Sequence, residues 1–259
     1  MHHESPPVFL INALRLAAGF ALLGAIGLAW SVLALPLTIL LPADPGRALG
    51  RFFSRFGFRV YLKLLSLGGA CRLDLRALDA LRDQGPMIIA PNHPCLLDAP
   101  LILSRIPQLA CIMKADIADN VVLGAGARLA RYSRNDAPRT MIAAAVAELQ
   151  AGRPLLLFPE GTRTSRMPLS PIRGSVGLIA KQAQVPVQTV FIEADSNFLG
   201  KGWPVLRVPA LPVHYRVRLG RRFEPPQHVH TFVTELEEYF SRHLTQPDTL
   251  APWQPLTEA

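Results

Sequence analysis

The sequence predicts an α/β domain with a central, mostly parallel or mixed sheet covered by helices, preceded by an N-terminal hydrophobic helical segment. From about residue 71, apolar runs of strand length alternate with segments of helical periodicity, which favours a largely parallel sheet. Before them comes a run of 26 residues, 16–41, without one formal charge. A chain of 259 residues suffices for one sizeable domain with an accessory segment, but it is short for two full domains.

The individual strands and helices are predicted from the spacing of apolar residues and from the length of each apolar run. Strands are expected where short apolar runs occur, at residues 87–90, 109–113, 155–158, 185–192 and 215–219. Helices are expected where apolar residues recur every three or four positions, at residues 96–104, 137–151, 174–184 and 231–244. Their order places a helix after most strands, as in a doubly covered sheet.

The chain divides into a membrane anchor with a basic amphipathic helix at 1–66, the α/β domain at 67–246, and a disordered tail at 247–259. As one helix, the uncharged run extends about 39 Å against a hydrocarbon core of about 30 Å, so it can cross a bilayer with tilt. Gly24, Gly27 and Pro36 leave open two shorter helices that dip in and return. A cleaved signal peptide fits less well, because its apolar core usually holds about 7–15 residues. A buried helix of a soluble protein is a further alternative.

A basic stripe follows the uncharged run. Its cations recur every four residues, at Arg47, Arg51, Arg55, Arg59 and Lys63. On a helix they form one slowly rotating row with aromatic and aliphatic residues between them. This pattern predicts a helix in the headgroup layer with its cations towards anionic lipid, the alternative being an ordinary solvated face. If the preceding run spans, these cations place the α/β domain on the cytoplasmic face, at the inner membrane in a bacterium.

Charge and cysteine content narrow the partners and the compartment. The net charge of +8 favours anionic partners, such as nucleic acid, acidic lipid headgroups or phosphorylated and acidic carriers. We expect no nucleic acid, because residues 16–41 would then have no purpose. Cys71, Cys95 and Cys111 form no closely spaced pair and are expected to be reduced thiols in a cytosol-facing domain.

The first candidate site follows the strand at 87–90, in the sequence Asn92-His93-Pro94-Cys95-Leu96-Leu97-Asp98. An imidazole can remove a proton from a hydroxyl near neutral pH, and a carboxylate on its other nitrogen fixes the tautomer. The spacing lets a turn carry His93 while the start of the next helix carries Asp98, so the two side chains can meet. The alternative is a helix-capping Asp beside a hydrogen-bonded loop His.

The second candidate site, Phe158-Pro159-Glu160-Gly161-Thr162-Arg163, follows the strand at 155–158. Gly161 permits close approach of the backbone to a ligand, Thr162 offers a hydroxyl, and Arg163 offers a planar fork suited to phosphate. Alone, the segment could be a turn with a salt bridge. Two polar clusters at the carboxyl ends of strands, however, indicate one shared site.

At these residues the chain resembles the 1-acyl-sn-glycerol-3-phosphate acyltransferase family, also called lysophosphatidic acid acyltransferases, within the glycerolipid acyltransferase superfamily. Asn92, His93 and Asp98 match its Asn-His-x-x-x-x-Asp block. Residues 158–163 match its Phe-Pro-Glu-Gly-Thr-Arg block without change.

Two further blocks extend the resemblance to roughly residues 71–219. Arg134 fits the end of an intermediate block, although Ser133 stands where that block commonly has an acid. Residues 185–187 match an apolar Val-Pro-Val strand. The resemblance implies a fold of the glycerol-3-phosphate acyltransferase type.

The resemblance also implies roles for particular residues. His93 would be the general base that deprotonates an acceptor hydroxyl, with Asp98 as its orienting partner. Lys114 is either a phosphate contact or a solvated lysine after a strand. The residues implied to hold the acceptor's glycerol phosphate are Glu160, Gly161, Thr162 and Arg163, with Arg134 as a further contact.

The implied reaction moves a fatty acyl group from acyl-CoA or acyl carrier protein to 1-acyl-glycerol-3-phosphate, giving phosphatidic acid in phospholipid biosynthesis. The expected partners are the bilayer, a lysophospholipid acceptor and the acyl donor, and no cofactor or metal is required. Pro94-Cys95 departs from the Gln-Ser common in the family, which leaves a covalent acyl-cysteine route as an alternative. Another lyso-lipid acceptor, or a catalytically silent scaffold of the same fold, also remains open.

Overall fold

A computed structural model describes residues 6–204 and 207–245 of the chain, and one seven-stranded sheet forms its centre. The strands are β1 (Cys71–Asp74), β2 (Ile88–Pro91), β3 (Ala110–Met113), β4 (Ser133–Arg134), β5 (Leu155–Leu156), β6 (Val187–Ala194) and β7 (Val213–Phe223). The helices are α1 (Pro6–Leu40), α2 (Ala43–Leu67), α3 (Asp98–Leu103), α4 (Ala115–Ala118), α5 (Gly124–Leu129), α6 (Pro138–Gln150), α7 (Ser175–Ala183) and α8 (Val229–Thr245). A 3₁₀ helix spans Arg76–Leu81. The predicted tail lies outside the described residues.

The sheet is mixed, with strand order β1-β7-β6-β2-β5-β3-β4. Among the strands of the described residues, only the β6–β7 pairing is antiparallel, so β1 and β7 run against the other five strands. The predicted fold class is therefore confirmed. Because β2, β3, β5 and β6 run in one direction, their carboxyl ends meet at one edge of the sheet.

Helices cover both faces of the sheet. On one face α2 and α3 pack against the strands and contribute Tyr61, Leu65 and Leu101 to a large core. On the other face α6, α7 and α8 contribute Leu149, Ile179 and Phe240 to a second core. The central strands β2, β5 and β6 are thereby buried on both sides over most of their length, which explains why their sequences read as largely apolar runs.

The hydrophobic segment forms one continuous helix, α1, with Pro36 inside its last turns. Its 35 residues extend about 52 Å, so α1 is long and apolar enough to cross a bilayer by length and composition. Only 17% of its most apolar window is buried, and large side chains such as Leu14, Val32 and Ile39 are exposed. A core helix of a soluble protein would be mostly buried, so this apolar surface suggests membrane association.

Both N-terminal helices pack closely onto the α/β domain. The Ser31 hydroxyl of α1 donates to the Val122 carbonyl over 2.7 Å. On α2, a Cβ at Gly50 would lie 2.4 Å from the Ala130 backbone nitrogen, so only glycine permits this approach. The predicted boundary at residue 66 thus falls next to the end of α2, whose inner face belongs to the core.

The basic stripe on α2 faces differently from the prediction. Arg51 is only 2% exposed, and its Nη1 lies 3.0 Å from Glu148 Oε2 on α6. Arg47 also pairs with Glu148, whereas Phe52 and Phe56 are exposed. The expectation of a row of cations directed at lipid is therefore wrong for Arg47 and Arg51. These residues tie α2 to the domain, and aromatic side chains form the outer face.

Candidate active site

His93 and Asp98 form a hydrogen-bonded pair at the carboxyl edge of the sheet. His93 Nδ1 lies 2.8 Å from Asp98 Oδ2. A carboxylate can only accept, so Nδ1 carries the hydrogen and Nε2 keeps its lone pair. The Asp98 side chain is fully buried and that of His93 is 16% exposed. The pair can therefore present one basic nitrogen to a substrate from a protected position.

The predicted local geometry explains this contact. Strand β2 ends at Pro91 and α3 begins at Asp98, so a short turn carries His93. Asn92 fixes the start of the turn, because its side chain exchanges two hydrogen bonds with the Ile192 backbone, at 3.0 and 2.7 Å. The matched Asn of the motif thus holds β2 against β6.

Phe158 orients the imidazole from the neighbouring strand end. The two rings stack with centroids 3.8 Å apart and planes 20° apart. The stack therefore fixes the plane of the imidazole while its Nδ1 is held by Asp98.

Cys95 supports Asp98 from the other side. Its backbone N–H donates to Oδ2 over 2.8 Å and its thiol donates to Oδ1 over 3.0 Å. Burial raises the pKa of Asp98, although the bonds from His93 and Cys95 oppose this increase. Burial, followed by the charge of Asp98, also raises the pKa of the Cys95 thiol well above its ordinary value. A thiol held in the protonated form is a poor nucleophile.

Glu160 links the two motifs. Its Oε1 accepts from the His93 backbone N–H over 3.0 Å and from the Thr164 hydroxyl over 2.9 Å. Its Oε2 accepts from the Ser170 backbone N–H over 2.8 Å, and the side chain is buried. The Glu160 carboxylate is therefore occupied by internal bonds, and its predicted contact with a substrate stays a prediction.

Arg163 is likewise engaged with the protein. Its Nη1 donates to the carbonyls of Leu199 and Gly200, over 3.0 and 3.1 Å. Gly161 and Thr162, by contrast, are exposed at the edge. Gly161 adopts a φ of +70°, which a residue with a Cβ rarely takes. The turn thus presents Gly161 and Thr162 outward, while Arg163 holds the loop after β6.

Lys114 and Arg134 lie beyond this turn along the same edge, after β3 and in β4. Lys114 pairs with Asp116. Arg134 pairs with both Asp119 and Asp136, and each of these two ion pairs has an N–O distance of 2.8 Å. A phosphate at either cation would have to compete with carboxylates already in place. Their phosphate contacts therefore stay predictions.

An apolar cavity lies between the sheet and the two N-terminal helices, and its wall includes Leu97, which adjoins Asp98 in the chain. Tyr215 also lines it and interacts electrostatically with Cys95 and Asp98. The cavity continues between α1 and α2, where Gly19 and Leu65 form part of its wall. The sequence reasoning identified neither this cavity nor its α1 lining, because no periodicity shows which helix faces pack together.

Arg173 is a second feature that sequence reasoning missed. It precedes α7, and its aliphatic chain lies against Gly161, where a Cβ would be 3.2 Å from Arg173 Cγ. Its backbone N–H donates to the Pro159 carbonyl over 2.8 Å. The sequence feature that could have pointed to Arg173 is its position directly before the predicted helix at residues 174–184.

Residues 72–193 match the family model described as Acyltransferase. A Caenorhabditis elegans protein named as a putative 1-acyl-sn-glycerol-3-phosphate acyltransferase is 27% identical over 130 residues. That match covers 45% of this chain and 47% of the relative, so the chain spans about half the length of this curated relative.

The crystal structure of the 1-acyl-sn-glycerophosphate (LPA) acyltransferase PlsC from Thermotoga maritima has the same fold. It superposes with a TM-score of 0.72 at 18% identity. The superposition covers 95% of this chain and 99% of that one.

Proposed function

Because residues 72–193 form a domain of the acyltransferase family, we propose that this chain transfers a fatty acyl group from a thioester donor to the hydroxyl of 1-acyl-glycerol-3-phosphate. The donor is acyl-CoA or acyl carrier protein, and the products are phosphatidic acid and the free carrier thiol. The observation that carries the proposal is the bond between His93 Nδ1 and Asp98, which leaves a basic Nε2 at the exposed edge.

In the proposed reaction, His93 Nε2 accepts the proton of the acceptor hydroxyl as the oxygen attacks the thioester carbonyl. A C–O bond forms, and the carbonyl becomes a tetrahedral oxyanion. Asp98 remains ionised and stabilises the imidazolium through Nδ1. When the intermediate collapses, the C–S bond breaks and the imidazolium returns its proton to the leaving thiolate. No step requires a group beyond the chain and its two substrates.

The apolar cavity suits the chain of the acyl group that is transferred. That chain is attached directly to the reacting carbonyl carbon, so it must start next to His93. The cavity has Leu97, the chain neighbour of Asp98, in its wall together with Tyr215, and it continues between α1 and α2. The acceptor's own acyl chain is separated from the reacting hydroxyl by the glycerol, so it fits this position less well.

We also place the domain on the cytoplasmic face of a membrane. The exposed apolar surface of α1 supports attachment. All three cysteines in the chain are free and buried, which is consistent with a reducing compartment. Flotation of the purified full chain with phosphatidylglycerol-containing vesicles checks the attachment, and protease protection in sealed cells checks the sidedness.

The test of the activity is an assay of the full chain with lysophosphatidate and either acyl-CoA or acyl carrier protein, read by product mass. The His93→Gln variant should form no detectable phosphatidate while its circular dichroism spectrum stays unchanged. Turnover retained in that variant would refute the proposed role of His93. No turnover by the wild-type protein on lysophosphatidate, with turnover on another lyso-lipid, would refute the proposed acceptor.

A further inference from the structure

The proposed acceptor carries a phosphate, and each cation predicted to hold it already has at least one partner within the protein. Arg163 donates to two backbone carbonyls, Arg134 pairs with two carboxylates, and Lys114 pairs with one. A dianionic phosphate needs a positive group that does not have to leave another partner first.

Arg173 meets this requirement. Within residues 6–204 and 207–245, its guanidinium has no hydrogen-bond or ion-pair partner, and the residue is exposed. Its side chain lies along Gly161, and its backbone N–H is fixed by the Pro159 carbonyl. The neighbouring residue Glu160 accepts a bond from the His93 backbone, so Arg173 stands beside the turn that adjoins the catalytic base.

Gly161 makes this placement possible. A Cβ there would lie 3.2 Å from Arg173 Cγ and 3.6 Å from Nε, so a side chain at this position would require the arginine to shift by a few tenths of an ångström. The identity of Gly161 thus serves the position of Arg173 as well as the positive φ of the turn. The N-terminus of α7, which begins at Ser175, adds positive potential on the same side.

We propose that Arg173 binds the phosphate of the acceptor and sets the preference of this site for a phosphomonoester headgroup. The assignment rests on the proposed function, since it concerns the acceptor of that reaction. The guanidinium fork donates to two phosphate oxygens above Gly161, which places the free glycerol hydroxyl towards His93. Arg173 has no part in proton transfer, so it acts on acceptor binding.

The experiment compares Arg173→Gln, Arg173→Lys and the matched control Arg222→Gln in the full chain. Arg222 lies in β7 opposite Gln188, near the amino end of β6, and is exposed at the other edge of the sheet. With lysophosphatidate, Arg173→Gln should raise KM about ten- to hundred-fold with little change in kcat, the range expected for one charged hydrogen-bonding group. Arg173→Lys should recover part of this loss, and Arg222→Gln should match the wild-type protein.

Acyl-CoA also carries phosphates, so its KM is measured for each variant. Competition by glycerol 3-phosphate, a soluble probe of the headgroup site, should weaken in Arg173→Gln alone. An unchanged lysophosphatidate KM in an active Arg173→Gln variant would overturn the assignment and leave the proposed function intact, as would a rise confined to the acyl-CoA KM. No turnover of lysophosphatidate by the wild-type protein would overturn both.

Discussion

The thiol of Cys95 donates a hydrogen bond to Oδ1 of Asp98 over 3.0 Å, while Oδ2 of the same carboxylate accepts from His93 Nδ1 over 2.8 Å. Cys95 and His93 therefore act on the two oxygens of one fully buried carboxylate. This arrangement gives Cys95 a supporting role: it satisfies the oxygen that His93 does not use and so fixes the orientation of the carboxylate.

Substitution of Cys95 distinguishes two roles for its thiol, orientation of the Asp98 carboxylate and nucleophilic attack on the acyl group. Cys95→Ser keeps a donor of similar size and should retain most of the activity. Cys95→Ala leaves Oδ1 without its side-chain donor, and the cost of an unsatisfied buried acceptor is about 1–3 kcal/mol, so kcat should fall about ten-fold or more. Initial rates with saturating acyl-CoA check both values. Near-complete loss in Cys95→Ser would instead indicate an acyl-cysteine intermediate.

Asp98→Asn should reduce kcat by about 10²–10⁴-fold with a smaller effect on KM. An amide can donate to Nδ1, which moves the imidazole hydrogen to Nε2 and removes the basic nitrogen. The matched control is Asp195→Asn, since Asp195 Oδ2 lies 2.6 Å from His214 Nδ1 in a second, more exposed His–Asp pair. Equal activity losses in both variants would contradict a specific role for Asp98.

The His93–Asp98 contact could be predicted because it is local. A turn and the first residue of a helix determine it, and both lie within the six residues from His93 to Asp98. The five predicted strands and the longer helices lie within a few residues of the expected positions, with β5 shorter than expected at Leu155–Leu156, whereas β1 and β4 were not predicted. For these strands and helices, the spacing of apolar residues along the chain indicates which residues are buried.

Contacts between distant segments could not be predicted in this way. The periodicity of α2 predicts a row of cations facing lipid. It cannot show that Arg51 pairs with Glu148, because Glu148 lies almost a hundred residues further along the chain. The bonds of Glu160 to His93 and Ser170 were likewise not predictable, because they depend on how two loops fold together. The sequence shows which groups are charged, but only the packing shows which charges are already paired.

Gly19 should control the length of acyl chain that the cavity accepts. It lines the cavity, and a Cβ there would lie 2.8 Å from Leu65 Cδ2. Gly19→Leu therefore shortens the space by a few methylenes, each worth about 0.8 kcal/mol or roughly four-fold in preference. Competition between acyl-CoA donors of different length, read by product mass, should show a shift towards shorter chains.

The control for this change is Gly24→Leu on the same helix, where a Cβ meets nothing within 4 Å. It adds the same hydrophobic volume to α1 without entering the cavity. The chain-length profile of Gly24→Leu should equal that of the wild-type protein. If both variants shift alike, the effect arises from α1 in the membrane and the cavity does not hold the transferred chain.

The attachment of α2 to the domain should depend on pH through Glu148. Burial alone would raise the pKa of Glu148, but the bonds from Arg51 and Arg153 outweigh it and leave the pKa below its ordinary value of 4.5. A carboxyl group with a lower pKa in the folded state stabilises the fold above its unfolded pKa. This stabilisation is lost as the pH falls through the folded value, so thermal stability should decrease below about pH 4.5.

Glu148→Gln should remove this dependence and lower the stability near neutral pH by about 3–5 kcal/mol, because it leaves the buried Arg51 without its counter-ion. Arg51 would keep its hydrogen bonds to the carbonyls of Ala130 and Gln108, but neither of these partners carries a charge. Thermal unfolding in detergent from pH 3.5 to pH 7.5 measures both effects. Asp44→Asn, which removes an exposed partner of Arg47, is the matched control and should leave the curve unchanged. A Glu148→Gln variant with wild-type stability at pH 7 would show that the Arg51–Glu148 pair does not hold α2 in place.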